Sequence, residues 1–470
     1  MVRASLTLIL VTAAVSAAQA APVPADAPKV IRLAPQSTAK QASAFRYRLL
    51  PDPLDRTPGN AAPLWRFAAD AARNAKRRLS PKEDVWAGET PLQRLPRKEV
   101  ADFLAHYNAA FRLARQAACR THCDWEIPPL TLQSLTEGFF PLALVQSCRE
   151  LAQLLVIRFR LQLVEGRFDE AAETLQTGFA LAQHLRESDS FIQHLVGIAV
   201  AAIMFSHVEE WMQTPGSPNL YWALTALPRP LESLRRPFEH EFGTFYRSFP
   251  RLRRLRRETF TAGQVEDLTK EVFENVSKAM GDIDPKKAEA FRKLGESIRK
   301  GEQYPQARQH LLDLGRTAKE LDAMPKNQVV LLWHLDQYDR VRDDVFKALA
   351  LPPWQGSPLM DEATKELSAA GNPVISLLMP AAAKVYKAHL RSERELAGLR
   401  CVEALRLYAA AHEGKPPAKW SDITAVPLPI NPVTGKGFED YYQMKEGRAL
   451  LDVPAQPFFV GRRYELAPPR

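Results

Sequence analysis

The chain has 470 residues, of which 46% are hydrophobic, and its 63 basic and 54 acidic side chains give a formal net charge of +9. This length exceeds what one hydrophobic core usually serves, so two or three structural units are expected, and the hydrophobic content excludes an intrinsically disordered chain. The positive excess is modest for the length and excludes a dedicated nucleic-acid-binding protein.

The first twenty residues have the layout of a secretory signal. Arg3 precedes an apolar run over residues 6–15, and small residues follow that end in Ala18-Gln19-Ala20. This order is typical of a signal peptide that is cleaved after the last alanine. About ten apolar residues are too few to span a hydrocarbon core of roughly 30 Å, although retention as an anchor stays open. We expect a mature protein in the periplasm or outside the cell.

The segment that follows the signal is rich in alanine and proline. Residues 21–43 are therefore expected to form a flexible leader. Apolar and polar residues alternate from Phe45 to Leu50, which predicts a short strand. A helix is expected to begin near Ala61 or Pro63, because proline is favoured in the first turn.

Helical periodicity dominates from Glu99 onward. Apolar residues recur at three- and four-residue steps, as a core-facing helix requires. Long helices are expected over residues 144–165, 168–186 and 190–212. The last of these is very apolar, but it contains two histidines and two glutamates, so a buried core helix is favoured over a membrane span.

The joint between the first two long helices has a recognisable composition. Gly166 ends one helix, Phe168 offers an aromatic ring for packing, and Asp169 and Glu170 favour the start of the next. The joint resembles one tetratricopeptide-like helical hairpin. A weaker echo begins at Gly301, but a solenoid normally needs three or more units, so ordinary antiparallel hairpins are favoured.

The remaining chain completes a mainly α fold. A helical body is expected over residues 44–394, with a sub-boundary near the turn at 214–218. A short buried helix is expected within the proline-bracketed block 218–230, and charged amphipathic helices over 231–350. Residues 395–470 are expected to form a small α+β appendage, in which residues 437–444 and 448–453 pair as a hairpin.

Two stretches resemble known groups of proteins. The blocks Asn219-Leu220-Tyr221-Trp222-Ala223-Leu224 and Leu227-Pro228-Arg229-Pro230-Leu231 resemble a signature of large exported proteins of planctomycete-type bacteria. Pro58-Gly59-Asn60-Ala61-Ala62-Pro63 and Cys123-Asp124-Trp125 also resemble this group. The resemblance covers roughly residues 45–350, implies export and a helical fold, and carries over no functional residue.

A second resemblance concerns the C-terminal part of type II secretion pseudopilins. It is carried by Leu405, Tyr408, Gly414, Pro416, Trp420, Ile423, Pro432 and Gly435. The chain lacks the pseudopilin methylation site, the long N-terminal apolar helix and the acidic calcium-type loop. The resemblance therefore implies a small shared fold and no filament assembly.

Four cysteines are candidates for a disulfide or a metal site. Export permits disulfides, and a bridge between Cys123 and Cys148, or between Cys119 and Cys148, is a candidate if an antiparallel helix follows. The spacing predicts that Cys119 and Cys123 lie one helical turn apart. Together with His122 these thiols could bind zinc, but the spacing departs from C-x2-C, so no metal or cofactor is expected.

The sequence contains no complete catalytic motif, and no catalytic residue is assigned. The sequence has no complete phosphate-binding loop and no nucleophile elbow. Glu209, Glu210, Glu239 and Glu241, with His240, could flank a cleft as glycosidase carboxylates do. Because the chain has 54 acidic residues, such pairs are weak evidence. His184, His194 and His207 are expected to be core or rim histidines.

A run of arginines is the sharpest charge feature of the sequence. It comprises Arg251, Arg253, Arg254, Arg256 and Arg257. Such a run could contact an anionic surface. A solvated helix that is neutralised by following acids, among them Glu258 and Glu271, is the favoured interpretation.

These patterns favour a non-enzymatic interaction or structural protein of the cell envelope, whose partner is an unidentified protein or envelope component. The first alternative is a periplasmic hydrolase or lyase that acts on envelope polymers with an all-α scaffold. The second is a peripheral binder of anionic surfaces that uses residues 251–257. The oligomeric state stays open.

The signal predicts a defined processing event. Protein isolated from the periplasm or medium of an expressing bacterium should begin at Ala21, because the small residues before it match the recognition site of signal peptidase. N-terminal sequencing and intact mass measure this directly. Full-length, unprocessed protein in the cytosol would contradict the prediction.

Overall fold

A computed structural model of the chain describes residues 29–33, 43–75, 85–126, 142–231, 233–281, 284–370, 373–455 and 461–467. Helices dominate these residues, and a small four-stranded sheet forms near the C-terminus. The chain is thus mainly α, which confirms the predicted fold class. The predicted signal peptide, residues 1–20, lies outside the described residues.

The α-helices are, in chain order, α1 (Ala62–Asn74), α2 (Arg97–Ala105), α3 (Asn108–Ala118), α4 (Leu142–Val164), α5 (Phe168–Arg186), α6 (Phe191–Met212), α7 (Tyr221–Thr225), α8 (Arg235–Ser248), α9 (Arg251–Leu255), α10 (Ala262–Met280), α11 (Pro285–Lys300), α12 (Tyr304–Asp313), α13 (Ala318–Asp322), α14 (Lys326–Ala350), α15 (Pro353–Ala370) and α16 (Pro373–Ala411). The strands are β1 (Lys29–Arg32), β2 (Thr57–Asn60), β3 (Arg120–His122), β4 (Tyr442–Lys445), β5 (Arg448–Val453) and β6 (Arg462–Leu466).

The four-stranded sheet joins the two ends of the described chain. Its strand order is β1-β6-β5-β4, and β1 pairs in parallel with β6, with Val30 opposite Arg463. The prediction of a flexible leader over 21–43 is therefore wrong for the four residues of β1. Strands β4 and β5 form the predicted hairpin across a tight turn at Glu446-Gly447.

The expected strand from Phe45 to Leu50 is absent, and these residues form turns and bends. The alternation correctly marks the buried side chains, because Tyr47 and Leu49 are buried, and the Tyr47 ring packs on Trp211 at 5.9 Å. A strand also needs a neighbour that accepts and donates its backbone hydrogen bonds. No strand lies beside this segment among the described residues, so the alternation does not produce a strand.

The described helices pack around two large hydrophobic cores. The first core contains α1, α3–α7, the second half of α16 and the four-stranded sheet. The second core contains α8–α15 and the first half of α16. The chain passes from the first core to the second between Leu231 and Leu234, which is later than the sub-boundary predicted at 214–218. A smaller cluster packs α2 and α3 against α4.

Two long helices contribute to both cores. Phe191 and Leu195 at the start of α6 lie in the second core, and apolar residues between Val196 and Met212 lie in the first. Helix α16 spans 39 residues, so the boundary predicted between residues 394 and 395 falls inside a continuous helix. The C-terminal segment carries the predicted small sheet and also packs into the first core.

The joint between α4 and α5 behaves as its composition predicts. Gly166 has a φ of 72°, and the Arg167 N–H donates to the Gln162 carbonyl at 2.9 Å, which closes a Schellman-type end. The Phe168 ring then packs edge-on against Trp211 at 5.4 Å. The two helices thus form a hairpin that is closed by a glycine turn, and the aromatic contact fixes the start of α5 against α6.

Helix α6 is a core helix, as its interrupted apolar run predicts. Among the described residues it is the one helix long and apolar enough to cross a membrane, and 78% of its apolar window is buried inside the protein. It packs against α4, α5 and α16. Ser190 caps its N-terminus by accepting the Ile192 N–H at 3.3 Å.

A buried ion pair holds the turn before α7 against α16. The side chains of Glu403 and Arg406 are fully buried and lie 2.9 Å apart. Glu403 also accepts hydrogen bonds from the Asn219 side chain at 2.6 Å and the Leu220 N–H at 3.1 Å. Arg406 donates to the Ser217 hydroxyl at 2.8 Å. Removing one charge would leave its partner buried and unpaired, which is costly.

We expect Arg406→Met to lower the free energy of unfolding by about 3–5 kcal/mol, because Glu403 would be left buried without its counter-charge. The double variant Glu403→Gln/Arg406→Met should recover part of this loss, since no buried charge remains. Urea unfolding followed by circular dichroism measures both. Lys415→Ala, which removes an exposed pair beyond the same helix, is the control and should leave the midpoint unchanged. Equal losses in the single and double variants would contradict the argument.

Candidate functional site

The acidic residues that the sequence offered as a catalytic group do not converge. Each of them has partners of its own. Glu209 binds Lys29, Arg462 and Tyr464, Glu210 binds Arg160, Glu239 binds Arg235, Glu241 accepts the Phe191 N–H, and His240 lies 4.0 Å from Asp189. The five side chains therefore do not line one cleft of the kind that a glycosidase needs.

Glu209 is instead the centre of a buried ion cluster in the first core. Its side chain has no exposed surface, and its Oε1 accepts hydrogen bonds from Arg462 Nε at 3.0 Å and the Tyr464 hydroxyl at 2.9 Å. Its Oε2 accepts from Lys29 Nζ at 3.2 Å. Burial and the negative charge of Glu209 hold the pKa of the Tyr464 hydroxyl well above its ordinary value, so this hydroxyl remains a donor.

The sheet register explains why these residues meet. Lys29 lies opposite Arg462 in the parallel pair β1–β6, and Arg462 and Tyr464 are two residues apart on β6, so they point to the same face. That face covers α6, which carries Glu209. The Glu209 carboxylate of α6 thus binds side chains from the first and the last described strands, β1 and β6.

A second carboxyl lies beside this cluster. Glu395 of α16 has its Oε1 3.8 Å from Arg462 Nη2, and its buried Oε2 has no hydrogen-bond partner among the described residues. Burial, and then the negative charge of Glu209, raise the pKa of Glu395 to about 7. The group Lys29, Glu209, Glu395, Arg462 and Tyr464 is called the Glu209 cluster below.

A small cavity of about 40 Å³ adjoins the Glu209 cluster. It is lined by Arg391, Arg394, Glu395, Gly398, Val453, Arg462 and Tyr464. This volume holds roughly two or three water molecules. It is far smaller than the cavities of roughly 300–1,000 Å³ that bind drug-sized ligands, so a sugar ring or a polymer segment does not fit.

A larger cleft of about 420 Å³ lies in the second core, beside α14. It is lined by Arg256, Leu311, Leu314, Gly315, Arg316, Glu320, Leu332 and Asp336, and it is called the α14 cleft below. Two guanidinium groups, two carboxylates and three leucines therefore face one concave surface. Leu314 is 51% exposed at this cleft.

Internal contacts fix the charged groups of the α14 cleft. Arg256 pairs with Asp339 and donates to the Tyr246 hydroxyl at 3.0 Å. Arg316 donates to the Arg256 carbonyl at 2.9 Å. Asp336 lies 2.8 Å from the His310 ring nitrogen. The polar lining is thus held in place before any partner arrives, which reduces the ordering cost of binding.

Glu320 has a local role at the same cleft. Its carboxylate accepts the Thr317 N–H at 2.9 Å, and the Thr317 hydroxyl accepts the Glu320 N–H at 3.2 Å. This capping box starts α13 and lowers the pKa of Glu320. The carboxylate is therefore ionised and contributes negative charge to the edge of the cleft.

The arginine run is divided between solvent and internal partners. Helix α9 covers only Arg251–Leu255. Arg251 pairs with Glu271 at 3.4 Å and Arg254 with Glu258 at 2.8 Å, as the neutralised interpretation predicts. Arg253 lies over the Tyr246 ring and Arg256 turns toward Asp339, while Arg257 is exposed. The run therefore forms no uniform basic face, and contact with an anionic surface stays a prediction.

The four cysteines are free thiols in this structure. Helix α3 ends at Ala118 and β3 follows, so Cys119 and Cys123 flank an extended segment and the expected helical turn between them is wrong. Cys123 and Cys148 are both buried, and burial raises the pKa of the Cys148 thiol to about 12. A bridge from Cys148 to Cys123 or Cys119 is not present here and stays a prediction.

The three histidines of the long helices have separate structural surroundings. His184 accepts a hydrogen bond from the Trp65 indole at 2.9 Å, and burial lowers its pKa to about 4. A His194 ring nitrogen lies 3.3 Å from the Arg186 carbonyl, and a His207 ring nitrogen lies 2.7 Å from the Ile203 carbonyl. Within the described residues, no group of three or more histidine, cysteine, aspartate or glutamate side chains is arranged to hold a metal.

No direct signal in the sequence marks Glu395, Arg462, Tyr464 or Lys29. They come from three segments that meet only through the parallel pairing of the first and last described strands. One indirect signal existed, because Glu209 is a carboxylate near the end of a very apolar helix. A carboxylate at such a position requires a buried partner, but the sequence does not identify that partner.

Comparison with known proteins adds no assignment. No protein-family model matches the chain, and no curated protein or solved structure matches it either.

Glu241 should make the free energy of unfolding depend on pH. Burial raises its pKa from the ordinary 4.5 to about 7, so the folded protein keeps a proton there that the unfolded chain releases above about pH 4.5. The contribution to stability is complete below that pH and is lost as the pH rises through 7. Glu241→Gln should reduce the stability loss between pH 5 and pH 8 by roughly 2–3 kcal/mol.

Urea midpoints at half-unit pH steps measure the effect. Glu239→Gln is the matched control, because Glu239 lies on the same helix, is exposed and pairs with Arg235. Its pH profile should match that of the wild type. A Glu241→Gln profile that also matches the wild type would show that Glu241 is ionised in the folded protein.

Proposed function

We propose that this protein is an exported, non-enzymatic interaction protein of the cell envelope, and that the α14 cleft binds a peptide segment of its partner. The observation that carries the proposal is the lining of this cleft, where two fixed guanidinium groups, two carboxylates and three leucines share a volume of about 420 Å³. The apparent signal peptide and the resemblance to exported helical proteins support the location.

The chemistry of the cleft favours a peptide over other partners. A peptide offers carbonyl groups and acidic side chains to Arg316, basic side chains and N–H groups to Asp336, and apolar side chains to the leucines. A uniformly anionic polymer would meet repulsion from Glu320 and Asp336. A mixed-charge chain satisfies both signs, so the partner is a protein segment that carries acidic, basic and apolar residues.

The hydrolase or lyase alternative has less support. Glycosidase chemistry needs two carboxyl groups about 5–9 Å apart on either side of a bound sugar. Glu395 lines a cavity beside Glu209, but the cavity volume of about 40 Å³ excludes a polymer segment. Binding to anionic surfaces also has less support, because Arg251, Arg254 and Arg256 pair with acids of the chain.

A display selection tests the proposal. The mature chain, residues 21–470, is immobilised and presented with a random twelve-residue peptide library, and enriched peptides are measured by fluorescence anisotropy. We expect micromolar peptides of mixed charge. Arg316→Glu should weaken them at least tenfold, because it reverses one fixed charge of the cleft. Arg257→Glu removes an exposed arginine outside the cleft and should leave affinity within twofold.

Further measurements separate the alternatives. Circular dichroism first shows that both variants fold. Enriched peptides that bind Arg316→Glu as well as the wild type, or an absence of any binding peptide, would overturn the proposal. Release of soluble fragments from purified cell-wall polymer, lost in Glu395→Gln, would favour the hydrolase. Sedimentation with phosphatidylglycerol vesicles that Arg257→Glu abolishes would favour surface binding.

A further inference from the structure

The cavity beside the Glu209 cluster is surrounded by positive charge. Arg391, Arg394 and Gly398 lie on one face of α16 at three- and four-residue spacing, and Arg462 reaches the same cavity from β6. Arg394 is 4% exposed and donates to the Pro454 carbonyl at 2.9 Å. Three arginines thus line a volume of about 40 Å³.

Other charged and titratable groups near this cavity come from the helices and strands that pack around it. Helix α6 contributes Glu209, strand β1 contributes Lys29, strand β6 contributes Tyr464, and α16 contributes Glu395. Asp452 of β5 is occupied by Arg463. Glu209 already accepts three hydrogen bonds, and the four positive groups around the cavity outnumber the two carboxylates even when Glu395 is ionised.

We propose that this cavity binds a free monovalent anion of about the size of chloride, and that the anion enters together with a proton on Glu395. Ionised Glu395 is itself the counter-charge of Arg462, at 3.8 Å, and it excludes a second anion by repulsion. Protonated Glu395 removes that repulsion and offers an O–H donor from the carboxyl that holds the partnerless Oε2. The proposal concerns the first core and does not depend on the α14 cleft.

Binding takes up one proton and one anion together. One proton from solvent binds a carboxylate oxygen of Glu395, and one anion from solvent occupies the cavity, so the charge of the protein is unchanged. Because the pKa of Glu395 is raised to about 7, this exchange falls near neutral pH. Apparent anion affinity should therefore be about tenfold weaker at pH 8 than at pH 6.

The cavity also predicts selectivity by size. A volume of about 40 Å³ accommodates chloride, whereas methanesulfonate carries a methyl group and three oxygens and is too bulky. Chloride should raise the thermal unfolding midpoint of the wild type at pH 6 in a saturable manner, and methanesulfonate at equal ionic strength should not. Broadening of the chloride-35 NMR line reports the same binding directly.

Two variants isolate the roles of the proton and the positive charge. Glu395→Gln is neutral at every pH, so chloride should bind at pH 8 as tightly as it binds the wild type at pH 6. Arg391→Gln should weaken chloride at both pH values at least fivefold, because it removes one of three guanidinium groups. Glu465→Gln is the control, because Glu465 follows Tyr464 in β6 and points to the opposite face of the strand. This variant should retain the wild-type pH dependence.

Specific results would overturn the inference. Equal stabilisation by chloride and methanesulfonate in the wild type at pH 6 would show an effect of ionic strength rather than selective anion binding in the cavity. A Glu395→Gln variant that keeps the wild-type pH dependence would exclude Glu395 as the proton site. If Glu395→Gln does not fold, chloride-35 line broadening of the wild type that is constant from pH 6 to pH 8 would overturn the proton coupling by itself.

Discussion

The packing of α6 against α16 is the contact on which the rest of the structure depends. Each helix lies in both hydrophobic cores, with Phe191 and Leu195 of α6 in one core and its later residues in the other. Helix α16 changes core between Leu390 and Leu396. Because both helices are continuous through the change, the two cores cannot separate without exposing apolar surface on each of them.

Charge burial is concentrated where distant parts of the chain meet this helix pair. Glu209 joins α6 to β1 and β6, and Glu403 joins α16 to the turn before α7. A buried charge is costly unless its partner is present. Incorrect pairing of these segments would leave carboxylates buried without cations, so the ion pairs favour one arrangement of strands and turns over other apolar packings.

The two cores carry different chemistry. The second core opens a wide cleft whose arginines and acids are fixed by neighbouring residues, which suits recognition of a flexible segment. The first core has a small cavity lined by arginines and by a carboxyl with a raised pKa. An interaction protein with these two sites would bind its partner at the second core and respond to protons and small anions at the first.

The sequence by itself determined the helical class, the bounds of α5 and the neighbouring helices, the glycine turn at Gly166 and the C-terminal hairpin. Periodicity, capping residues and turn residues are signals within short stretches of sequence, so the sequence is enough to predict these features. It failed at Phe45–Leu50 and at β1, because a strand depends on a partner that lies far away in the chain.

Only the tertiary structure decided the sites. The carboxylates near one another in sequence, Glu209, Glu210, Glu239 and Glu241, have separate partners, whereas Glu209 and Glu395 come together across 186 residues of sequence through α6, α16 and β6. Adjacent helical residues point in different directions, and which of them face a common cavity is set by how the helices and the last strand pack. That packing, with the burial that raises a pKa, is a property of the folded chain and not of any segment in it.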